Sequence, residues 1–244
     1  MSGKVAAYLA AGALIAAAGP AQAGPPYFTD DPEPTDKGHW EIYAFGAGTK
    51  TPGAFDGTGG LDLNYGPVEN VQLTATLPVE YTSAGPRNTG FGDLELGVKY
   101  RLFQREEAGL AFAIFPRLIL PTARKGFGSG KTRLLLPLWG QKDMGKWSLF
   151  GGGGYTINPG AGNRNYWQSG VALTRQVSNR LSLGGEVAFQ GPDAAGGRNY
   201  AALNFGGIYH LGGPFSILVS GGPGIVHVRE GGTYNVYAAL GIDF

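Results

Sequence analysis

The chain has 244 residues, of which 43% are hydrophobic and only 15% are charged, and it contains 44 glycines but no cysteine. The absence of cysteine excludes a disulfide framework and a thiolate metal site. The formal net charge of +1 gives no indication of nucleic acid or another highly charged partner. The charged fraction is well below the about one quarter that is usual in soluble domains. A soluble protein of this length would have one or two domains, whereas a closed barrel would use the whole chain as one.

The N-terminus has the features of a cleaved export signal. Lys4 supplies a positive charge, residues 5–18 form an apolar stretch, and Ala21-Gln22-Ala23 gives the small-x-small pattern of a cleavage site. The alternative is a transmembrane anchor, but this stretch is shorter than the about 20 apolar residues that a span needs. We therefore predict a signal peptide over residues 1–23. The exported mature chain would begin at Gly24 and carry equal numbers of acidic and basic residues.

Residues 24–38 form a short acidic segment that contains Asp30, Asp31, Glu33 and Asp36. Calcium takes several oxygen ligands, so these carboxylates suggest a calcium site as one alternative. Two prolines among them and the lack of a ligand-loop glycine favour a solvated periplasmic N-terminal segment instead. Folding into the mouth of a barrel, as a plug, is a third arrangement.

From His39 onward, apolar and polar residues alternate in stretch after stretch. In residues 71–81, for example, the odd positions are apolar and the even positions are Gln, Thr, Thr, Pro and Glu. Because side chains alternate faces along a strand, one face is apolar and the other needs water. No helical periodicity competes in the mature chain. The alternation predicts strands at 39–48, 57–66, 69–81, 91–102, 109–120, 132–141, 147–158, 166–177, 181–190, 199–211, 215–223 and 233–244.

The lengths of the strands and of their connections predict a membrane barrel. The strands are close to the about 9–11 residues that a tilted strand needs to cross a bilayer. Short connections alternate with longer ones, the first of the longer ones being near 49–56, as in barrels with short periplasmic turns and long outer loops. We predict an all-β fold, in which residues 39–244 form one closed antiparallel transmembrane β-barrel of about 12 strands with both termini in the periplasm. Ten strands are possible because 132–141 does not alternate cleanly.

The ends of the strands carry aromatic residues on the apolar face, which is typical of the girdles at membrane interfaces. The residues are Tyr81, Tyr100, Trp147, Tyr155, Tyr209, Tyr234 and Phe244. The last strand stops on Phe244 and resembles the closing strand of bacterial outer-membrane barrels, in which that ending is the signal read by the assembly machinery. The resemblance implies that Phe244 is an assembly signal, with the barrel-assembly machinery and outer-membrane lipids as partners.

A second resemblance begins in the acidic segment. Pro25-Pro26-Tyr27-Phe28-Thr29-Asp30-Asp31-Pro32-Glu33-Pro34 is followed by Gly38-His39-Trp40-Glu41, and a related stretch is Leu203–Leu211. These motifs are similar to those of the meta-pathway (MetA) phenol-degradation family of bacterial outer-membrane transporter-like β-barrels. The resemblance implies a transport-type barrel in the bacterial outer membrane and leaves the solute open.

The strand register predicts which charged side chains face the lumen. Seven of them form the candidate constriction: Glu80, Asp93, Glu95, Lys99, Arg101, Arg117 and Glu186. Both signs of charge are present, which argues against strong ion selectivity. Barrels of about eight strands are filled by side chains and those of about 16–18 enclose open channels, so 12 strands predict a narrow lumen. We predict passive passage of a small, aromatic or hydrophobic solute; the alternative is that the charges pair and seal a structural or adhesion barrel.

Other motifs give no catalytic, cofactor or metal site. Gly126–Thr132 ends like a phosphate-binding loop, but Lys125 stands where that motif needs glycine and no helix pattern follows. A lipid-modifying enzyme would need serine and histidine together on the lipid face. The predicted topology places His39 and His210 at the periplasmic rim and His227 in an outer loop, so we predict that the protein is not an enzyme.

Overall fold

The computed structural model describes residues 26–227 and 232–244, and the predicted signal peptide lies outside these residues. The described chain forms one antiparallel sheet that closes on itself, because the first strand pairs with the last. Its strands are β1 Trp40–Thr51, β2 Ala54–Val68, β3 Val71–Thr82, β4 Asn88–Phe91, β5 Leu94–Arg105, β6 Leu110–Ile114, β7 Arg117–Leu120, β8 Arg133–Met144, β9 Trp147–Ile157, β10 Tyr166–Ser178, β11 Leu181–Gln190, β12 Tyr200–Gly212, β13 Phe215–Pro223 and β14 Tyr234–Asp243. A 3₁₀ turn, Glu106–Ala108, joins β5 to β6. Among the residues described, no helix is long and apolar enough to cross a membrane.

These strands occupy twelve positions around the barrel. β4 and β5 both pair with β3 and share one position, and β6 and β7 both pair with β5 and β8 and share another. Pro116, which lies in the break between β6 and β7, has no backbone N–H to give to a neighbouring strand. The structure therefore confirms the prediction of a closed barrel with twelve strands, and the alternative of ten strands is wrong.

The exposure of alternate residues follows the predicted register. In β14, Tyr234 and Leu240 on the outer face are 50% and 42% exposed, whereas Ala239 on the inner face is 7% exposed. The same outward series of large apolar side chains continues on other strands, for example Leu77, Val98 and Leu149. A continuous apolar outer face around a closed sheet is the surface that contacts lipid in a membrane barrel.

One predicted connection is wrong. The longer loop expected near 49–56 is a two-residue turn, Pro52-Gly53, because β1 and β2 continue pairing as far as Thr51 and Ala54. Gly53 adopts a positive φ of 79°, which glycine reaches without a steric penalty. The alternation of short and long connections is therefore broken at this one hairpin, although the alternating pattern of β1 and β2 already favoured strands on both sides.

Candidate functional site

The N-terminal segment, defined here as residues 26–38, lies inside the barrel. It enters beside the start of β1, where Gly38 N donates to Gly66 O at 2.7 Å, and it reaches the far wall, where Tyr27 Oη donates to Gly206 O at 3.0 Å. Between these points, Thr35 N donates to Gln72 Oε1 at 2.8 Å. Of the arrangements that the sequence left open for this segment, the structure therefore has the one in which it folds into the barrel.

Three inward basic side chains of β5 and β7, Lys99, Arg101 and Arg117, form what we call the basic cluster. Lys99 Nζ lies 3.0 Å from Asp30 Oδ1 and 3.5 Å from Asp31 Oδ1, and its exposed fraction is only 4%. Lys99 also donates to the backbone carbonyl of Glu33 at 3.2 Å. The acidic half of the N-terminal segment is thus held against one wall of the lumen by a buried ammonium group.

Arg101 and Arg117 add further ion pairs between the barrel wall and the N-terminal segment. Arg117 donates to Asp30 Oδ2 at 3.0 Å and to Glu95 Oε1 on the neighbouring strand at 2.9 Å. Arg101 is ion-paired with the Glu33 carboxylate and donates to Asn70 Oδ1 at 2.9 Å. Charge-assisted pairs of this kind are stronger than neutral hydrogen bonds, so the cluster fixes both the position and the register of the segment.

Glu186 of β11 fixes the other end of the segment. This carboxylate is 2% exposed and accepts hydrogen bonds from Phe28 N at 2.9 Å, Thr29 N at 2.8 Å and Thr29 Oγ1 at 2.7 Å. Asn204 Nδ2 of the adjacent strand donates to it at 2.9 Å. Gly170 of β10 gives the segment its room, because a Cβ there would collide with Thr29 Oγ1. A buried carboxylate with four donors is well satisfied, and three of the four donors belong to the segment.

The predicted constriction residues therefore divide into two groups. Lys99, Arg101, Arg117 and Glu186 contact the segment directly, and Glu95 contacts Arg117. The remaining two are elsewhere. Asp93 pairs with Arg133 at 3.2 Å and accepts hydrogen bonds from Ala123 N and Ser129 N, so it holds the long connection between β7 and β8. Glu80 accepts a hydrogen bond from Thr58 Oγ1 at 2.6 Å.

The segment does not fill the lumen. A cavity of about 590 Å³ remains between it and the barrel wall, and its lining includes residues of β1, β2, β3 and β14 as well as residues of β5, β7 and β8. Glu41, Asp62 and Asp243 contribute carboxylates to the lining of this cavity. Its aromatic lining residues are Tyr27, Phe28, Tyr43, Phe45, Phe115, Trp139 and Tyr237. The barrel thus encloses a space of the size of a small solute, with charged and aromatic walls.

Burial and neighbouring charges shift the pKa values of the segment's acids in different directions. Burial, opposed by Lys99 and reinforced by Asp30, raises the pKa of Asp31 to about 7. Asp31 Oδ2 is buried and has no hydrogen-bond partner among the described residues. Burial would also raise the pKa of Asp30, but Lys99 and Arg117 outweigh it and lower that pKa below its ordinary value. Burial raises the pKa of Glu33 in spite of Arg101.

These shifts predict that docking of the segment weakens as the pH rises from mildly acidic to neutral. A released Asp31 has an ordinary pKa of about 3.9, so the docked state binds more protons between about pH 4 and 7 and loses stability as the pH rises through that window. Asp30 has the opposite effect: its lowered pKa stabilises docking, and this contribution is lost only below about pH 4.

We expect the conductance of the mature protein in planar bilayers to be higher at about pH 8 than at about pH 5. Asp31→Asn should flatten this dependence, whereas Asp36→Asn, an exposed position of the same segment, should preserve it. A wild-type conductance that does not change with pH would contradict the prediction.

The histidines are placed near the ends of strands. His210 lines a cavity of about 90 Å³ together with Ser216 and Asp243, which sequence reasoning did not bring together. In the described part of the chain, no hydrogen bond joins these three side chains, and Asp243 lies 3.7 Å from His39 Nδ1 instead. His227 Nε2 is 2.9 Å from Asn199 Oδ1 in a loop. Serine catalysis needs a nucleophile and a base within hydrogen-bond reach, and His210, Ser216 and Asp243 do not form that arrangement.

The closed sheet, its apolar outer face and its polar interior define a twelve-stranded barrel of the outer-membrane type. The chain belongs to the family described as "Putative MetA-pathway of phenol degradation", which matches residues 34–236. This confirms the resemblance seen in the sequence. No curated protein sequence matches the chain.

Solved structures share the fold at low sequence identity. The KdgM porin in complex with disordered oligogalacturonate is 11% identical, with a TM-score of 0.58 over 84% of this chain and 99% of that one. The NanC porin is 11% identical, with a TM-score of 0.58 over 83% and 98% of the two chains. The translocator domain of the autotransporter NalP from Neisseria meningitidis is 13% identical, with a TM-score of 0.55 over 86% and 90%. At these identities the similarity shows the architecture of the barrel.

Proposed function

We propose that the protein is an outer-membrane channel through which a small solute passes down its gradient. The observation that carries the proposal is the cavity of about 590 Å³ inside a closed barrel whose outer face is apolar. Membership of the family and the shared fold with two porins support the same function. We propose that a signal peptide directs export, that both termini are periplasmic, and that the protein has no catalytic activity.

The lining of the cavity supports a small solute with an aromatic or hydrophobic part. Aromatic side chains stand on both sides of the space, with Tyr27 on the N-terminal segment and Tyr43, Phe115 and Trp139 on the walls. Flat apolar surfaces can stack on such rings, while nearby carboxylate and amide groups bind polar substituents. The alternative, a sealed structural or adhesion barrel, is favoured by the ion pairs that close one side of the lumen. The unfilled cavity beside these ion pairs favours the channel.

Solute uptake by liposomes tests the proposal. The refolded mature protein should permit swelling in arabinose or glucose, and Thr76→Trp should reduce it because Thr76 lines the cavity. Leu77→Trp is the matched control, because Leu77 is the next residue of the same strand and is 48% exposed on the outer face. Leu77→Trp should therefore leave uptake unchanged. Absence of uptake by the wild-type protein for every solute would favour the sealed barrel.

A further inference from the structure

The wall formed by β5 and β7 holds carboxylates in this structure, and most of them come from the N-terminal segment. Asp30, Asp31 and Glu33 of the segment contact the basic cluster, and Glu95 is the barrel's own contribution through Arg117. The carboxylates paired with Lys99 and Arg101 within the described residues all belong to the segment. The barrel wall by itself thus presents two cations to the lumen without a matching acid from a neighbouring strand.

In this arrangement, carboxylates of the chain itself occupy the positions around Lys99 and Arg101 in which a bound anion would lie. With the segment docked, Lys99 is only 4% exposed, and the carboxylates of Asp30 and Asp31 offset the cost of burying its ammonium group. If the segment leaves, the backbone of Lys99 and Arg101 keeps its position, since both lie on β5, a strand paired on each side. The vacated space would then favour any small anion that reproduces the contacts of Asp30 and Glu33.

An aromatic ring forms part of the same site. Phe115 is 2% exposed, and its ring centroid lies 5.0 Å from Lys99 Nζ and 4.1 Å from Arg117 Cζ. Leu135 and Trp139 line the adjoining cavity. A ligand with one carboxylate and a flat apolar body can therefore pair with the cations and place its body against Phe115 and the cavity wall.

We infer that the basic cluster is a binding site for a small aromatic carboxylate, and that this solute competes with the N-terminal segment for it. The inference rests on the proposed channel function and specifies its solute class. Occupancy by the solute releases the acidic segment and widens the lumen, so the solute opens its own path. A tethered competitor acts at an effective concentration of the order of millimolar, so a free solute that binds the cluster as tightly as the segment does must also reach about millimolar levels to displace it.

The accessibility of one introduced cysteine tests the competition without measuring transport. The chain has no cysteine, and Pro32 is fully buried between Asp31 and Glu33 without taking part in the ion pairs. The mature Pro32→Cys protein, refolded in detergent, is labelled with a charged maleimide in sodium benzoate, in benzamide or in sodium chloride at equal concentration. We expect benzoate to increase the labelling rate several-fold, and benzamide and chloride to have no such effect. Equal rates in the three solutions would overturn the inference.

Further variants distinguish release of the segment by benzoate from an effect of benzoate on the labelling reagent. Ser178→Cys, an exposed position, should label at the same rate in all three solutions, which controls for effects on the reagent. Lys99→Gln/Arg101→Gln removes the ion pairs that hold the segment, so Cys at position 32 should label rapidly in all three solutions. A rate that still rises with benzoate in this variant would overturn the assigned site. Thr35→Cys, at a position 3% exposed, replaces Pro32→Cys if the latter does not fold. If benzoate releases the segment but liposomes show no uptake, the binding site stands and the channel function fails.

Discussion

Lys99→Glu is expected to release the N-terminal segment from the barrel wall. The substitution places a third carboxylate beside Asp30 and Asp31, at a position where Lys99 now pairs with both. Removing one partner of a buried ion pair costs about 3–5 kcal/mol, which corresponds to a shift of the docking equilibrium by roughly 100-fold or more. Hydrogen exchange of the peptide that covers residues 26–37 measures this shift, because the backbone N–H groups of Thr29 and Thr35 are hydrogen-bonded only to wall side chains.

The matched control is Leu96→Ala on the same strand. Leu96 is 40% exposed on the outer face, so its truncation should lower the stability of the barrel modestly and leave exchange within the segment unchanged. Arg117→Glu should resemble Lys99→Glu, because Arg117 contacts Asp30 from the other side. Protection of Thr29 and Thr35 that survives both charge reversals would show that the ion pairs do not hold the segment.

Deletion of Phe244 is expected to abolish most of the insertion into the outer membrane. Its side chain is 59% exposed on the outer face, where a recognition residue is accessible. Its backbone also closes the barrel, since Trp40 N donates to Phe244 O at 2.8 Å and Phe244 N donates to Trp40 O at 3.1 Å. We expect the deletion variant to accumulate in the periplasm and to be degraded, as measured by fractionation and immunoblotting.

Phe244→Ala separates the two roles of this residue. The variant keeps both backbone hydrogen bonds and loses only the ring, so it should fail in the same way as the deletion if the assembly machinery reads the side chain. If Phe244→Ala reached normal outer-membrane levels and the deletion variant did not, the effect would be assigned to the backbone hydrogen bonds between Trp40 and Phe244 that close the barrel. Undiminished outer-membrane levels of both variants would refute the proposed assembly signal.

The strands could be predicted from the sequence because their signal is local. In β3 and β14, every second residue is apolar over the whole length of the strand, and this pattern requires no knowledge of the neighbouring strands. The breaks at Gly92-Asp93 and Phe115-Pro116 were not predicted. At Phe115-Pro116 the alternation continues across the break, so the pattern does not reveal that backbone pairing stops there. At Gly92-Asp93 the alternation shifts by one residue, because Phe91 and Leu96 both face outward.

The candidate site could be predicted only in part. The register placed Lys99, Arg101, Arg117 and Glu186 in the lumen, but alternation does not reveal which groups they bind. The decisive partners, Asp30 and Glu33, lie in a segment whose path depends on contacts more than 60 positions away along the chain. A signal was present, because an acidic stretch preceded a barrel with several inward basic residues. Its pairing with the basic cluster became apparent only in three dimensions.

The central claim, that the barrel is a conduit narrowed by its own N-terminal segment, is tested most directly by single-channel conductance in planar bilayers. The measurement compares the wild-type mature protein with Asp30→Asn/Asp31→Asn/Glu33→Gln, which removes the three segment carboxylates at the basic cluster. Asp56→Asn/Glu106→Gln/Glu107→Gln makes the same change in charge at exposed positions. The account predicts a small conductance for the wild type and for the exposed-site variant. For the segment variant, it predicts a several-fold larger conductance and an ion selectivity that is shifted toward anions. No conductance from any of the three proteins, or equal conductance from all of them, would contradict it.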